Sequence, residues 1–177
     1  MIVSNIQSPS QVTPEEVVVM CSIKEQYWPH SMESQLKWWE RYTGKDDVLI
    51  TLVNDGSILA FLRLRKGSIL SNGECLVALC ATEVCVSKEY RGQGRGKQLL
   101  GAATTYINRV GVNLGYLLCW SSQVEFYRAC DWSQLIAIQI ESTNTHKSRT
   151  LTADERCMVY DPHSRLNGQI TLVGDQF

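Results

Sequence analysis

Between an apolar run ending at Val86 and an amphipathic run beginning near Arg95, the chain reads Arg91-Gly92-Gln93-Gly94-Arg95-Gly96-Lys97. Glycine at every second position removes side chains and permits positive φ, so an extended strand can turn directly into a helix. It also bares the first N–H groups of that helix, which lack intrahelical acceptors and carry positive partial charge. A strand–turn–helix unit calls for a sheet with helices packed on it. It also points to an anion, because phosphate binds where glycines let it approach such amides. Two familiar phosphate-loop patterns do not fit. G-x-x-x-x-G-K-[ST] would need a glycine where Lys97 stands, and G-x-G-x-x-G fails at the same residue. A plain tight turn is the remaining alternative, and one glycine would suffice for it.

The rest of the chain supplies the other elements of a mixed α/β sheet. Thr13 followed by Pro14 predicts the start of one helix, and Ser31, with Ser34 three residues on and Gly44 as the close, frames a second. Two β-type runs flank Asn54-Asp55-Gly56, a hairpin signal, and Ser71 to Glu74 makes another turn before the long apolar run to Val86. A helix is expected from about Gly94 to Val110, with Leu99, Leu100, Ala103, Tyr106, Ile107 and Val110 as its apolar stripe. Then come a buried strand in GYLLCW, a short helix in SQVEFYRAC, and strands in SQLIAIQIES, ERCMVYD and GQITLV. No repeat or linker interrupts this order, so a single domain, 1–177, is expected.

Composition narrows the function classes. A net charge of −1 gives no nucleic-acid footprint. No signal-peptide pattern and no bilayer-length apolar run is present, so a cytoplasmic protein without a membrane partner is expected. Cys21, Cys75, Cys80, Cys85, Cys119, Cys130 and Cys157 form no CxxC pair, and read as small buried hydrophobes in a reducing compartment; no metal site is expected.

The segment VCVSKEYRGQGRG resembles the signature of the GNAT superfamily of acyl-CoA N-acyltransferases, [Arg/Gln]-x-x-Gly-x-[Gly/Ala] on a strand-to-helix loop, here Arg91, Gly94 and Gly96. The resemblance implies the GNAT fold, a mixed and mostly antiparallel sheet with flanking helices, and acetyl-CoA as co-substrate. It further implies that amides from Arg91 through Gly92, Gln93, Gly94, Arg95 and Gly96 to Lys97 clasp the pyrophosphate. The strand of Val84, Cys85 and Val86 then faces the pantetheine arm, with Val84 and Val86 pairing through their backbones. SSQVEFYRACDW resembles a second family segment, A-x-x-F-Y-x-x-x-G-F, with Phe126, Tyr127 and Trp132 in register. By itself a tyrosine on a short helix is more often packing than chemistry. The resemblance gives Tyr127 the role of general acid toward the departing CoA thiolate, a role that a phenol can fill. Asp131 stands where the family has glycine, a position that asks for positive φ.

In that chemistry a neutral amine attacks the thioester, and carboxylates attract the cation and relay its proton. Glu83, Glu125, Asp154, Asp161, Asp175 and the terminal carboxylate of Phe177 are the candidates, with Glu83 or Phe177 as catalytic base. The ending ITLVGDQF resembles the aminoglycoside 2′-N-acetyltransferases among the GNATs, whose chains end Gly-Asp-x-Trp. That resemblance implies substrate contacts from Asp175 and Phe177, with Glu83 beside them. The uncharged wall Trp120-Ser121-Ser122 favours a smaller aminoglycoside such as kasugamycin, and the product would confer antibiotic resistance. Two other readings stay open: acetylation of another small amine, polyamine or peptide N-terminus, and a non-catalytic acetyl-CoA-binding module. A homodimer paired through late strands is also open.

Overall fold

Strand β1 (Ile2–Gln7) opens the chain and pairs antiparallel with β2 (Val48–Asn54), from Ile2↔Asn54 to Gln7↔Leu49. The computed structural model describes residues 1–136, 138–142 and 147–174. Two compact units divide the chain. The first comprises Met1–Arg65 and Glu83–Ala103, and the second comprises Lys66–Thr82 with the chain from Thr104 on.

In the first unit, helices α1 (Pro14–Glu25) and α2 (Met32–Tyr42) follow β1. Thr13 caps α1 through a capping box with Glu16, and Pro14 occupies the first turn, where its missing N–H costs nothing. Ser31 caps α2 by accepting from the Ser34 amide at 3.3 Å. Gly44 closes α2 differently from a left-handed cap. The chain leaves extended at Thr43, and the Gly44 amide donates to Asp47 Oδ2 at 2.9 Å. Strand β3 (Ser57–Ser71) returns antiparallel to β2. Between them Asp55 and Gly56 both have positive φ, +48° and +81°, the type I′ turn whose twist suits a two-residue hairpin. Met20, Ile23, Phe61 and Cys85 form the core, with Val12, Tyr27, Trp39 and Ile58 packed around it.

In the second unit the strand order is β6-β9-β5-β4-β3-β10-β7-β8. The strands are β4 (Glu74–Val86), β5 (Gly115–Trp120), β6 (Ser133–Leu135), β7 (Ile138–Glu141), β8 (Ser148–Thr150), β9 (Glu155–Tyr160) and β10 (Ile170–Val173). Strands β3 and β4 run through both units. The pairs β1–β2, β2–β3, β3–β10, β5–β9, β6–β9 and β7–β8 are antiparallel, whereas β4 with β5 and β7 with β10 are parallel. Among the described residues the β4–β5 ladder comprises Leu79↔Gly115 and Cys80↔Tyr116, whereas β5 continues paired with β9 as far as Trp120↔Glu155. Its core runs from Ile69, Ala78 and Cys80 through Tyr116 and Cys157 to Ile170 and Leu172. Helix α3 (Arg95–Arg109), whose residues up to Ala103 belong to the first unit, buries Leu99, Leu100, Ala103 and Ile107 as expected, but leaves Tyr106 half-buried, and Val110, just past its end, is exposed. Helix α4 (Val124–Arg128) follows β5 through one 3-10 turn.

The expected single strand in SQLIAIQIES is two strands. Its first part, β6, pairs with β9, and its second, β7, pairs with β10, so the two halves serve different neighbours. No helix among the described residues is long and apolar enough to cross a membrane.

Candidate active site

After β4 the chain makes a 3-10 turn at Lys88–Tyr90, then the turn Arg91–Gly94, and enters α3 at Arg95. Gly92 and Gly94 have φ of +72° and +76°. A Cβ at either would meet nothing within 4 Å, so the backbone here faces open space, not protein. Gln98 donates to the Gly94 carbonyl at 3.0 Å, so the N–H groups of Arg95, Gly96 and Lys97 belong to the turn that lacks intrahelical acceptors. Gln93 secures the loop by donating to the Glu89 carbonyl at 2.8 Å, and Arg95 donates to Gln98 Oε1 at 3.3 Å. Lys97 is exposed. This arrangement fits a pyrophosphate: bare amides, positive partial charge and flanking cations, with no protein atom in the space beside Gly92 and Gly94.

Arg91 points the other way. Its Nε donates to the Val86 carbonyl at 3.1 Å, and its guanidinium lies 4.1 Å over the Tyr27 ring. Tyr27 also holds Val86, donating to its carbonyl at 2.7 Å and accepting from its amide at 2.9 Å. The Val86 backbone therefore has internal partners on both groups. Cys85 is fully buried in the core, which drives its thiol far above the ordinary range.

Glu83 lies in β4 with φ +54° and a side chain 6% exposed. One carboxylate oxygen is ion-paired with Lys24 of α1, and the other is 3.0 Å from Arg63 Nη2 of β3. Arg63 also donates to Thr43 Oγ1 at 2.7 Å and lies 3.7 Å from Asp47. Trp38 packs against both cations, with Lys24 Nζ 3.2 Å and Arg63 Cζ 4.9 Å from its ring centroid.

In the second unit, Tyr127 is buried on α4. Its carbonyl accepts from the amides of Cys130 and Trp132 at 2.9 and 3.1 Å, and its ring meets Phe126 edge-on at 5.0 Å. Asp131 has φ +65°, so the position where the family motif has glycine does adopt the left-handed region. Trp120 is exposed, as are Ser121 and Ser122, and the Ser121 amide donates to the Asp154 carbonyl at 2.8 Å. Of the other carboxylates, Glu125 pairs with Arg128 at 2.6 Å, and Asp161 accepts from the Leu166 amide at 2.9 Å. Asp175 and Phe177 lie outside the described residues; Gly174, the last described, donates its amide to the Glu141 carbonyl at 3.0 Å.

Sequence reasoning missed Tyr27, Lys24, Arg63 and Trp38. Arg63 had one usable signal: an arginine in the middle of the apolar run Leu59-Ala60-Phe61-Leu62-Arg63-Leu64 requires a buried anion.

Residues 9–135 match the model of the Acetyltransferase (GNAT) domain family. The chain belongs to that family and is an acetyl-CoA-dependent acyltransferase. Solved structures agree on the fold. It is similar to Escherichia coli ElaA with a TM-score of 0.65 at 14% identity, over 91% of this chain and 100% of that one. An acyl-CoA N-acyltransferase from Pseudomonas aeruginosa gives 0.63 at 17%, over 90% and 99%. The ribosomal-protein-S18-alanine N-acetyltransferase of Escherichia coli gives 0.60 at 14%, over 94% and 100%. No curated protein matches the sequence.

Proposed function

We propose that the chain transfers an acetyl group from acetyl-CoA to a primary amine by direct attack, with the Arg91–Lys97 loop holding the pyrophosphate. The observation that carries this is the open backbone at Gly92 and Gly94 ahead of α3 in a chain of this family. Acetyl-CoA supplies an activated thioester carbonyl. The protein's part is to fix the phosphate end at the loop, to offer the backbone of Val84 and Val86 to the extended arm, and to return a proton to the leaving sulfur. Tyr127 fills the last role: a phenol gives up its proton to a nascent thiolate and regains one from solvent. For Val86 to pair with the arm, Tyr27 and Arg91 must yield its amide and carbonyl; Val84 is the partner nearer the kink at Glu83.

The acceptor we assign is an aminoglycoside amine, kasugamycin being the small member that suits an uncharged wall. Its support is the likeness of Gly174-Asp175-Gln176-Phe177 to the Gly-Asp-x-Trp segment of the aminoglycoside 2′-N-acetyltransferases, with Asp175 as the carboxylate for a cationic substrate, together with the exposed Trp120-Ser121-Ser122 segment. The test is a thiol-release assay with purified protein over a panel of aminoglycosides, polyamines, amino acids and peptide N-termini. Turnover of aminoglycosides, lost on removing residues 175–177, upholds the assignment. Turnover confined to another amine moves the substrate, thiol release that needs no amine is hydrolysis of acetyl-CoA, and no thiol release with any of them leaves a binding module.

A further inference from the structure

We propose that Glu83 is a positioning residue: the Lys24–Glu83–Arg63 charge cluster pins a left-handed kink in β4 and so sets the backbone of Val84 for the acetyl donor. The inference rests on the acetyl-transfer reading above, and it replaces a proton-accepting role for this carboxylate.

The kink is the first observation. Among the described non-glycine residues with positive φ, Asp55, Asn72, Asn113, Asp131 and Ser164 all lie in turns or loops, whereas Glu83 lies inside a strand. A side chain in this region is strained, and persists where the surroundings over-determine it. The register agrees, because the β4–β5 ladder ends at Cys80, ahead of the kink, among the described residues.

The second observation is what surrounds the carboxylate. Its oxygens face cations from two different elements, Lys24 of α1 and Arg63 of β3. Neither cation is free to swing away: Lys24 Nζ sits over Trp38, and Arg63 is fixed by Thr43 and Asp47. The thiols of Cys21 on α1 and Cys85 on β4 also sense the Glu83 charge, and both are raised chiefly by burial and therefore neutral. The contacts are ion pairs without well-aligned hydrogen bonds, so charge holds the group. An ammonium approaching Glu83 would add a third positive charge where two already sit. A buried carboxylate with this surround anchors the strand, and removing it would leave two cations facing each other.

The test compares wild type, Glu83→Gln and the conservative Lys24→Arg in two measurements. The first is acetyl-CoA affinity by calorimetry without acceptor; the second is kcat against pH with the best amine. For Glu83→Gln, kcat should fall about 10- to 100-fold, the scale of a small misplacement of reacting groups, and acetyl-CoA Kd should rise with it. The acid limb of the pH profile should keep its midpoint, and Lys24→Arg should retain activity and affinity. A flattened acid limb with unchanged acetyl-CoA affinity would identify Glu83 as the proton acceptor and overturn the proposal. If Glu83→Gln does not fold, Lys24→Met decides by sign: a loosened kink lowers kcat, whereas a base relieved of one counter-ion raises it. The calorimetry separates the two readings: wild type that binds acetyl-CoA yet acetylates no amine fails the functional reading, and the Kd comparison still decides the kink.

Discussion

The Tyr27 hydroxyl meets both backbone groups of Val86, donating to the carbonyl at 2.7 Å and accepting from the amide at 2.9 Å. It does for one residue what a neighbouring strand would do with its own N–H and C=O. Tyr27→Phe keeps the ring under Arg91 but removes both bonds; Arg91 still donates to the carbonyl, while the amide loses its acceptor. Stability should fall by about 1–3 kcal/mol, the scale for a buried polar group left unmet. The measurement is the denaturant midpoint at constant slope; an unshifted midpoint would mean that water replaces the hydroxyl fully.

Gly94→Val tests the loop. The new Cβ meets no protein atom within 4 Å, so the mutation acts through the +76° φ and through the space that it fills. Forcing a residue with a Cβ into that region costs roughly 1–2 kcal/mol. The fold should survive with a lowered Tm, and acetyl-CoA Kd should rise at least about tenfold, since every 1.4 kcal/mol is a factor of ten. Wild-type affinity in folded Gly94→Val would remove the loop from the binding site.

Tyr127→Phe separates chemistry from packing. The ring keeps its edge contact with Phe126 and the backbone bonds are untouched. Under the general-acid role kcat falls by about 10²- to 10⁴-fold while acetyl-CoA Kd holds. Equal kcat in single-turnover experiments returns Tyr127 to the core.

Glu155 gives a pH prediction. Its carboxyl is lowered first by hydrogen bonds from Arg149, which reach its two oxygens at 2.8 and 3.2 Å, against an opposing effect of burial. A depressed folded value means that the pair stabilises above the unfolded pKa, and that this contribution fades as pH falls through the folded one. Arg149→Ala should therefore be less stable than wild type at pH 7, and no less stable once Glu155 is protonated in both states. With Arg149 substantially exposed, the difference should stay below about 1 kcal/mol. Paired melts across acidic pH check it.

Thiol chemistry should single out Cys75. It is exposed, whereas burial pushes Cys119 up to about 11 and Cys85 and Cys157 higher still. One equivalent of iodoacetamide should react with the native protein at neutral pH, and none with Cys75→Ser. Rapid labelling of Cys75→Ser would mean that a buried thiol opens to solvent.

Local grammar made much of this legible. The Thr13 and Ser31 caps, the Asp55-Gly56 turn and the alternating glycines each act within a few residues, so the sequence displays their cause directly. The break between β6 and β7 was not legible, because it depends on which strands lie alongside, β9 for one and β10 for the other. Strand β1 was missed for a related reason: Val3, Ser4 and Asn5 are exposed and show no alternation, and pairing with β2 makes the strand. At the site, Glu83 was found as a carboxylate, but its partners come from α1 and β3, far away in sequence.

The pairing of β10 with β3 has a consequence during synthesis. Ser68–Ser71 meet Val173–Ile170, so a strand edge made early waits until residues 170–173 have left the ribosome. Until then its unpaired N–H and C=O groups are a template for any passing strand. Translation stalled ahead of residue 170 should thus yield nascent chains that depend on chaperones, although β1, β2, α1 and α2 have already emerged.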